Sequence, residues 1–170
     1  GVSKIKDSLH WYQDTLGFIV SDFQLLEGHP LPAVSFLRCD QGDTPSDHHT
    51  LALGSAVGIG HEHTAFEVAD IDLIAMGQKW MKSKDHHHSW GIGRHNLGSQ
   101  IFDYWHDVSG FEFEHYADGD VFTDEKQTDY YPLDSGNVYA WGDDIPPSFF
   151  ALNRKQIWHV LQGLVKGDMT

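Results

Sequence analysis

The sequence predicts an α+β protein in which one strand-and-helix unit is used twice. Within the first 118 residues, apolar residues recur at helical spacing in two places, once near the start and once after Asp70. Each of those stretches is followed by three short β-rich runs separated by Gly, Pro and Asp. The second copy opens on an additional strand, His63–Val68, so it reads as βαβββ. The first copy reads as the same module with its opening strand missing, which makes an internal structural repeat with faint sequence identity.

The elements follow in order. From Ser3 to Leu16, Ile5, Leu9, Tyr12 and Leu16 share one helical face, and Gly17 supplies a C-terminal stop. Phe18–Leu26 predicts a strand, His29-Pro30-Leu31-Pro32 a turn, and Ala33–Cys39 a second strand. A polar loop over Asp40–Asp47 leads to a third strand, His49–Leu53, which ends at Gly54. These residues, 1–56, make the first module.

The second module takes residues 57–118. A turn containing Gly58 and Gly60 enters the strand His63–Val68. Asp70 is placed to cap a helix over Ile71–Lys82, with Leu73, Ile74, Gly77, Trp80 and Met81 as inward candidates. Strands are predicted near Gly91–Asn96, Gln100–His106 and Phe111–Tyr116. Residues 119–170 form a C-terminal extension. Ala117–Asp129 is acidic and predicts a surface loop, whereas Tyr130–Leu133 and Asn137–Gly142 form an aromatic tail that must pack on something. Beyond Pro146-Pro147, Asn153–Val165 predicts a terminal helix with Ile157, Val160, Leu161 and Leu164 along one side.

Composition bounds the function. Of the 170 residues, 40% are hydrophobic and 13% aromatic, enough apolar material for a substantial core. Eleven basic against 25 acidic residues give a formal net charge of −14, which disfavours nucleic acid and anionic membranes as partners. The single cysteine, Cys39, cannot form an internal disulfide and fits a reducing compartment. No apolar run approaches the roughly 20 residues of a membrane span, and no signal peptide is read at the N-terminus, so the expected location is the cytoplasm.

Thirteen histidines are many for this length. His86-His87-His88 lies in a Lys/Asp/Ser-rich stretch that reads as a solvated loop. By pattern alone, His61 and His63 are polar residues at a strand start, although a histidine at the mouth of a strand is well placed to bind a metal. Alternation over Phe111–Tyr116 puts Glu112 and Glu114 on one face of a strand, where one could face a cation or both could sit in solvent. Two histidines and one carboxylate from different strands would make the facial set that binds Fe(II) and leaves positions open for substrate and O2.

Several ordered motifs carry a resemblance. They are Leu9-His10-Trp11-Tyr12-Gln13-Asp14-Thr15-Leu16-Gly17-Phe18, His48-His49-Thr50-Leu51-Ala52-Leu53 and Gly60–Asp70 with its His61-Glu62-His63 opening. Gly93-Arg94-His95, Ile101–Trp105 and Asp107–Glu114 complete the series. Together, over about Val2–Asp118, they resemble the catalytic domain of the type I extradiol ring-cleavage dioxygenases of the vicinal oxygen chelate superfamily. The resemblance implies curved mixed sheets around a central metal pocket. It implies cleavage of a catechol-type ring by O2 at Fe(II) or Mn(II), with a small catecholic substrate as partner and assembly as a homo-oligomer.

Carried over position by position, the resemblance implies His63 and Glu114 as metal ligands. It implies His49 as the acid–base group for the substrate hydroxyl, and His95 and Tyr104 as hydrogen-bonding partners of the reacting oxygens. Glu67, on the His63 face, reads as structural. The chain departs from the family in one respect. The first metal histidine belongs on the opening strand of module one, and none of His10, His29 or His48 occupies that position. The expectation is therefore a piece of a longer enzyme that supplies two of three ligands. Two rivals share the scaffold: a glyoxalase-like isomerase or resistance transferase, and a non-enzymatic small-molecule binding module. These 170 residues alone should hold iron weakly or not at all; one tightly held Fe per chain on metal analysis would refute that.

Overall fold

The structure, a computed structural model, describes residues 1–28, 31–55, 59–134 and 138–149. The terminal helix expected over Asn153–Val165 and the His29-Pro30 part of the first turn lie outside the described residues. No helix is long and apolar enough to cross a membrane among the described residues. The described residues form two compact units, one within residues 1–61 with 121–134, the other within residues 62–120 with 138–149.

In the first unit, helix α1 (Ile5–Leu16) ends at Gly17, whose left-handed backbone (φ 71°) lets its N–H return to the last turn. Ile5 is buried with Val20, Leu37 and Leu53, and Leu9 and Tyr12 pack against that core. Leu16, expected on the same face, is exposed. The sheet has the order β10-β1-β2-β4, from β1 (Phe18–Leu25), β2 (Pro32–Cys39), β4 (Leu51–Gly54) and β10 (Asp129–Pro132). β1, β2 and β4 are antiparallel neighbours, whereas β10 runs parallel to β1. The first half of the aromatic tail thus becomes an edge strand, with Tyr130 against Phe23 at 5.4 Å between ring centres.

Two expectations change in this unit. The third strand does not begin at His49. The strand that pairs with β2 is β4; a separate short strand, β3 (Ser46–Asp47), precedes it, and His48-His49-Thr50 bends between the two with the His48 ring turned inward onto Asp22. The acidic segment after Ala117 is not all loop. Its β9 (Val121–Phe122) pairs with β3, and the next turn is held by a buried cation. That cation is Arg38, almost fully buried on β2. Its Nη1 donates to Val20 O and Ser21 Oγ, and its Nη2 to Thr123 O (3.2 Å) and Lys126 O (3.1 Å).

In the second unit the sheet has the order β11-β6-β7-β8-β5. It comprises β5 (His63–Glu67), β6 (His88–His95), β7 (Ile101–His106), β8 (Glu112–Ala117) and β11 (Tyr139–Gly142). β5 runs parallel to β8, and the other pairs are antiparallel. Helix α2 (Ile71–Ser83) is capped by Asp70, whose carboxylate accepts from Leu73 N–H at 2.9 Å. The repeat extends to single hydrogen bonds. Val68 N–H donates to Tyr116 O ahead of α2, and Val2 N–H donates to Gly54 O ahead of α1, both at 2.8 Å.

The buried face of α2 is Ile74 and Met81 with Gln78 between them, while Leu73 and Trp80 point outward, contrary to their expected role. The cause lies on β7. Asp103 is fully buried on the helix side, and its Oδ1 accepts from Gln78 Nε2 (3.1 Å) and His88 Nε2 (2.8 Å). Its Oδ2 accepts from Trp105 Nε1 at 2.7 Å. A buried carboxylate needs such donors, so polar Gln78 takes an inward position and His88 leaves the expected loop to open β6. The second half of the tail, β11, crosses Gly93 so closely that a side-chain carbon on Gly142 would lie 2.4 Å from the Gly93 Cα.

Arg38→Leu should lower the stability of the chain by about 2–4 kcal/mol, because it strands several buried acceptors at once. Thermal unfolding of the variant against the parent measures this.

Candidate active site

The face of the second sheet opposite α2 collects four of the expected residues. Pairing of β5 with β8 sets Ala65 beside Glu114, and pairing of β7 with β8 sets Tyr104 beside Glu114. Since alternate residues share a face, His63, Glu114 and Tyr104 project from the same side. His63 Nε2 lies 3.4 Å from Glu114 Oε2, and its ring meets the Tyr104 ring edge-on at 5.2 Å. His95, at the end of β6, brings Nε2 to 3.0 Å from Tyr104 Oη and 3.8 Å from Glu114 Oε1. Trp90, Tyr139 and Phe149 pack around this group, with Trp90 stacked on Tyr104 at 5.8 Å.

Glu114 is buried (6% exposed), so its charge requires compensation from its neighbours. His63 responds. Burial alone would lower its pKa, but the hydrogen bond and charge of Glu114, with the charges of Glu112 and Glu62, raise it above the ordinary histidine value. His95 goes the other way. Burial lowers its pKa and the charge of His63 adds to that, outweighing the upward pull of Glu114 and of the Val138 carbonyl. Neutral His95 donates from Nδ1 to Val138 O at 3.1 Å, which leaves its Nε2 lone pair directed at Tyr104. Burial, with the charge and hydrogen bond of Glu114 and the charge of Glu112, pushes the Tyr104 phenol well above its usual range. Tyr104 is thus a protonated donor in an apolar wall.

An ion bound by a histidine nitrogen and a carboxylate oxygen, each about 2.1 Å away, places two neighbouring ligand atoms about 3 Å apart. The His63–Glu114 separation of 3.4 Å fits two such corners. Among the described residues, no group of three His, Cys, Asp or Glu side chains forms a set able to hold a metal. Glu67, on the same strand as His63, is exposed.

His49 lies in the first unit. It is half-buried, its Nδ1 is 2.7 Å from His48 Nδ1, and Phe36 flanks its ring at 4.9 Å. His48 is fully buried and bonds Asp22 at 2.7 Å. Sequence reasoning did not single out Asp22 or treat His48 as more than a neighbour of His49. The available signal was a carboxylate inside the apolar run Phe18–Leu26, a position that only a buried partner makes tolerable. Asp103, inside Ile101-Phe102-Asp103-Tyr104-Trp105, is a second instance.

No family profile matches the chain. Metapyrocatechase 2 of Cupriavidus necator is 33% identical over 148 residues, covering 85% of this chain and 43% of that protein. The Mn(II)-bound glyoxalase from Novosphingobium aromaticivorans is 25% identical with a TM-score of 0.67, over 88% of this chain and 50% of that one. Homoprotocatechuate 2,3-dioxygenase from Arthrobacter globiformis superposes with a TM-score of 0.71 at 19% identity, over 90% of this chain and 48% of that one. The class these likenesses define is the vicinal oxygen chelate fold, α+β with curved mixed sheets. Within it, the chain is similar in sequence to metapyrocatechase 2 over most of its own length. It spans less than half the length of that relative.

In the metal-free protein, His63 should titrate above about 6.5, and Glu114→Gln should bring it down, as read from its ring resonances by NMR. A raised folded-state pKa contributes stability that is complete below the unfolded value and is lost as pH rises through the folded one. The stability advantage of the parent over E114Q should therefore shrink with rising pH above about 6.5.

Proposed function

We propose that the chain is the catalytic part of an extradiol dioxygenase, which adds both atoms of O2 across the ring bond beside the two hydroxyls of a catechol-type substrate. The product is a ring-opened muconic semialdehyde-type acid, so substrate and O2 account for every atom of it. The observation that carries this reading is the juxtaposition of His63 and Glu114 at 3.4 Å with the His95–Tyr104 pair at 3.0 Å on one sheet face. The 33% identity to metapyrocatechase 2 supports it.

His63 and Glu114 would hold Fe(II) or Mn(II), with one further ligand that the described residues do not supply. The bound metal supplies the redox chemistry with O2 and a chelating centre for the two substrate oxygens. The chain's own groups do the remaining work. Metal binding requires His63 to give up its proton, and Glu114, which otherwise stabilises that proton, becomes the second ligand. The single O–H of Tyr104, directed at His95 Nε2 in the metal-free protein, would turn to an oxygen on which negative charge develops. His95, held by Val138 O and kept neutral, accepts that hydrogen bond until then. In this reading His49 accepts the substrate hydroxyl proton, a task suited to an imidazole near neutrality. Trp90, Tyr139 and Phe149 form an apolar wall suited to an aromatic ring.

A second reading keeps the same ligands for a glyoxalase-type isomerisation, and the likeness to the Novosphingobium glyoxalase favours retaining it. Oxygen uptake and the yellow ring-opened product separate the two. The iron-loaded, full-length gene product should consume O2 with catechols, and His63→Ala or Glu114→Gln should abolish both metal retention and turnover. Isomerase activity without O2 uptake would overturn the dioxygenase reading. Tyr104→Phe should retain metal and lose about 100-fold in kcat.

A further inference from the structure

We propose that Asp22 and His48 are positioning residues that fix the tautomer of His49, placing its basic lone pair on Nε2. The inference rests on the dioxygenase reading only for its catalytic consequence; the tautomer itself is a property of the chain.

The arrangement is a line of three side chains in the first unit. Asp22 Oδ2 is 2.7 Å from His48 Nε2, and His48 Nδ1 is 2.7 Å from His49 Nδ1. Asp22 and His48 are almost fully buried. Burial alone would raise the Asp22 pKa, but the hydrogen bond and charge of His48, with those of Lys126, hold it below the usual carboxylate range. Lys126 Nζ contacts Asp22 Oδ1 at 3.3 Å and Asp129 at 2.8 Å.

An ionised carboxylate only accepts hydrogen bonds, so the proton between Asp22 and His48 sits on His48 Nε2. In neutral His48 the lone pair then lies on Nδ1. Two nitrogens 2.7 Å apart need one hydrogen between them, and it must come from His49 Nδ1. Neutral His49 is therefore protonated at Nδ1 and basic at Nε2. When His49 Nε2 takes up a proton, the positive charge can be shared through Nδ1 with His48 and stabilised by Asp22. No proton has to leave the line, and the carboxylate stays ionised.

The surroundings hold the line in place. Phe36 flanks both rings, at 5.3 Å from His48 and 4.9 Å from His49, and Phe122 lies 5.7 Å from His48. Ser21 Oγ donates to the His48 carbonyl at 2.5 Å and itself accepts from Arg38 Nη1. His48 is thus fixed through its ring and its backbone.

The experiment is 15N NMR of the imidazole nitrogens in the full chain, with His49 assigned from the signals lost in His49→Asn. The parent should show His49 protonated at Nδ1 and bare at Nε2. In Asp22→Asn, Lys126 holds the amide oxygen on the Oδ1 side and the NH2 donates to His48 Nε2, so both tautomers along the line should invert and Nε2 of His49 should carry the hydrogen. A parent His49 already protonated at Nε2, or an unchanged tautomer in folded D22N, overturns the proposal. Should D22N fail to fold, the parent spectrum and that of His48→Gln, in which the His49 preference should be lost, decide it.

In the full-length enzyme D22N should lower kcat by at least 100-fold with metal content and KM unchanged. An inverted tautomer in a protein that never cleaves catechols refutes the dioxygenase reading and leaves the positioning intact. Normal turnover with an inverted tautomer refutes the catalytic consequence.

Discussion

Glu114 is a carboxylate with little water around it, and much of the second unit can be understood as the response to that constraint. A buried anion must be matched by donors or cations. The match comes from two strands, His63 on β5 and Tyr104 on β7, with His95 of β6 beside them. Each of these groups is driven by Glu114 in a definite sense, His63 towards the charged form and Tyr104 towards the neutral one. His95 is the exception, where burial prevails over the carboxylate. Burial and the Glu114 charge together therefore leave one histidine drawn towards its charged form, a phenol kept as a donor and a second histidine drawn towards its neutral form.

Parts of this were legible in the sequence because they are local. Helical spacing and Gly17 identified α1, Asp70 identified the start of α2, and strict alternation put Glu112 and Glu114 on the face away from Phe113 and His115. The ordered motifs led from there to the resemblance to extradiol dioxygenases, with which the 33% identity to metapyrocatechase 2 agrees. The parts that were not legible depend on partners far apart in sequence. His48 leaves the strand because Asp22, 26 residues earlier, holds its ring. The inward face of α2 carries Gln78 rather than Leu73 or Trp80 because Asp103, 25 residues later, requires a donor. Hydrophobic periodicity cannot report a polar residue whose inward position is set by a distant buried charge.

The two units meet the same physical problem with different residues. Each buries a carboxylate on a strand, Asp22 on β1 and Asp103 on β7, and each supplies a histidine nitrogen to it, at 2.7 Å and 2.8 Å. In the first unit the histidine's second nitrogen reaches another histidine. In the second, the carboxylate is completed by Gln78 and Trp105, so the network ends in packing. The internal repeat thus preserves its scaffold, down to the matching bonds at Val2 and Val68, while its buried polar groups serve different ends.

Asp103 also bears on how β7 finds its place. Its neighbours on the strand, Phe102 and Tyr104, face the opposite side of the sheet. Sliding β7 by one residue against its partners would exchange the two faces. The phenol would then press against α2, and the carboxylate would enter the aromatic wall beside Trp90, next to the charge of Glu114. Both outcomes are costly, the second because two like charges would share a dry site. The donors gathered around Asp103 therefore act as an alignment key for the sheet: a strand of six residues, three of them aromatic, which could pack almost as well in either phase, is left with one phase in which its buried carboxylate is satisfied.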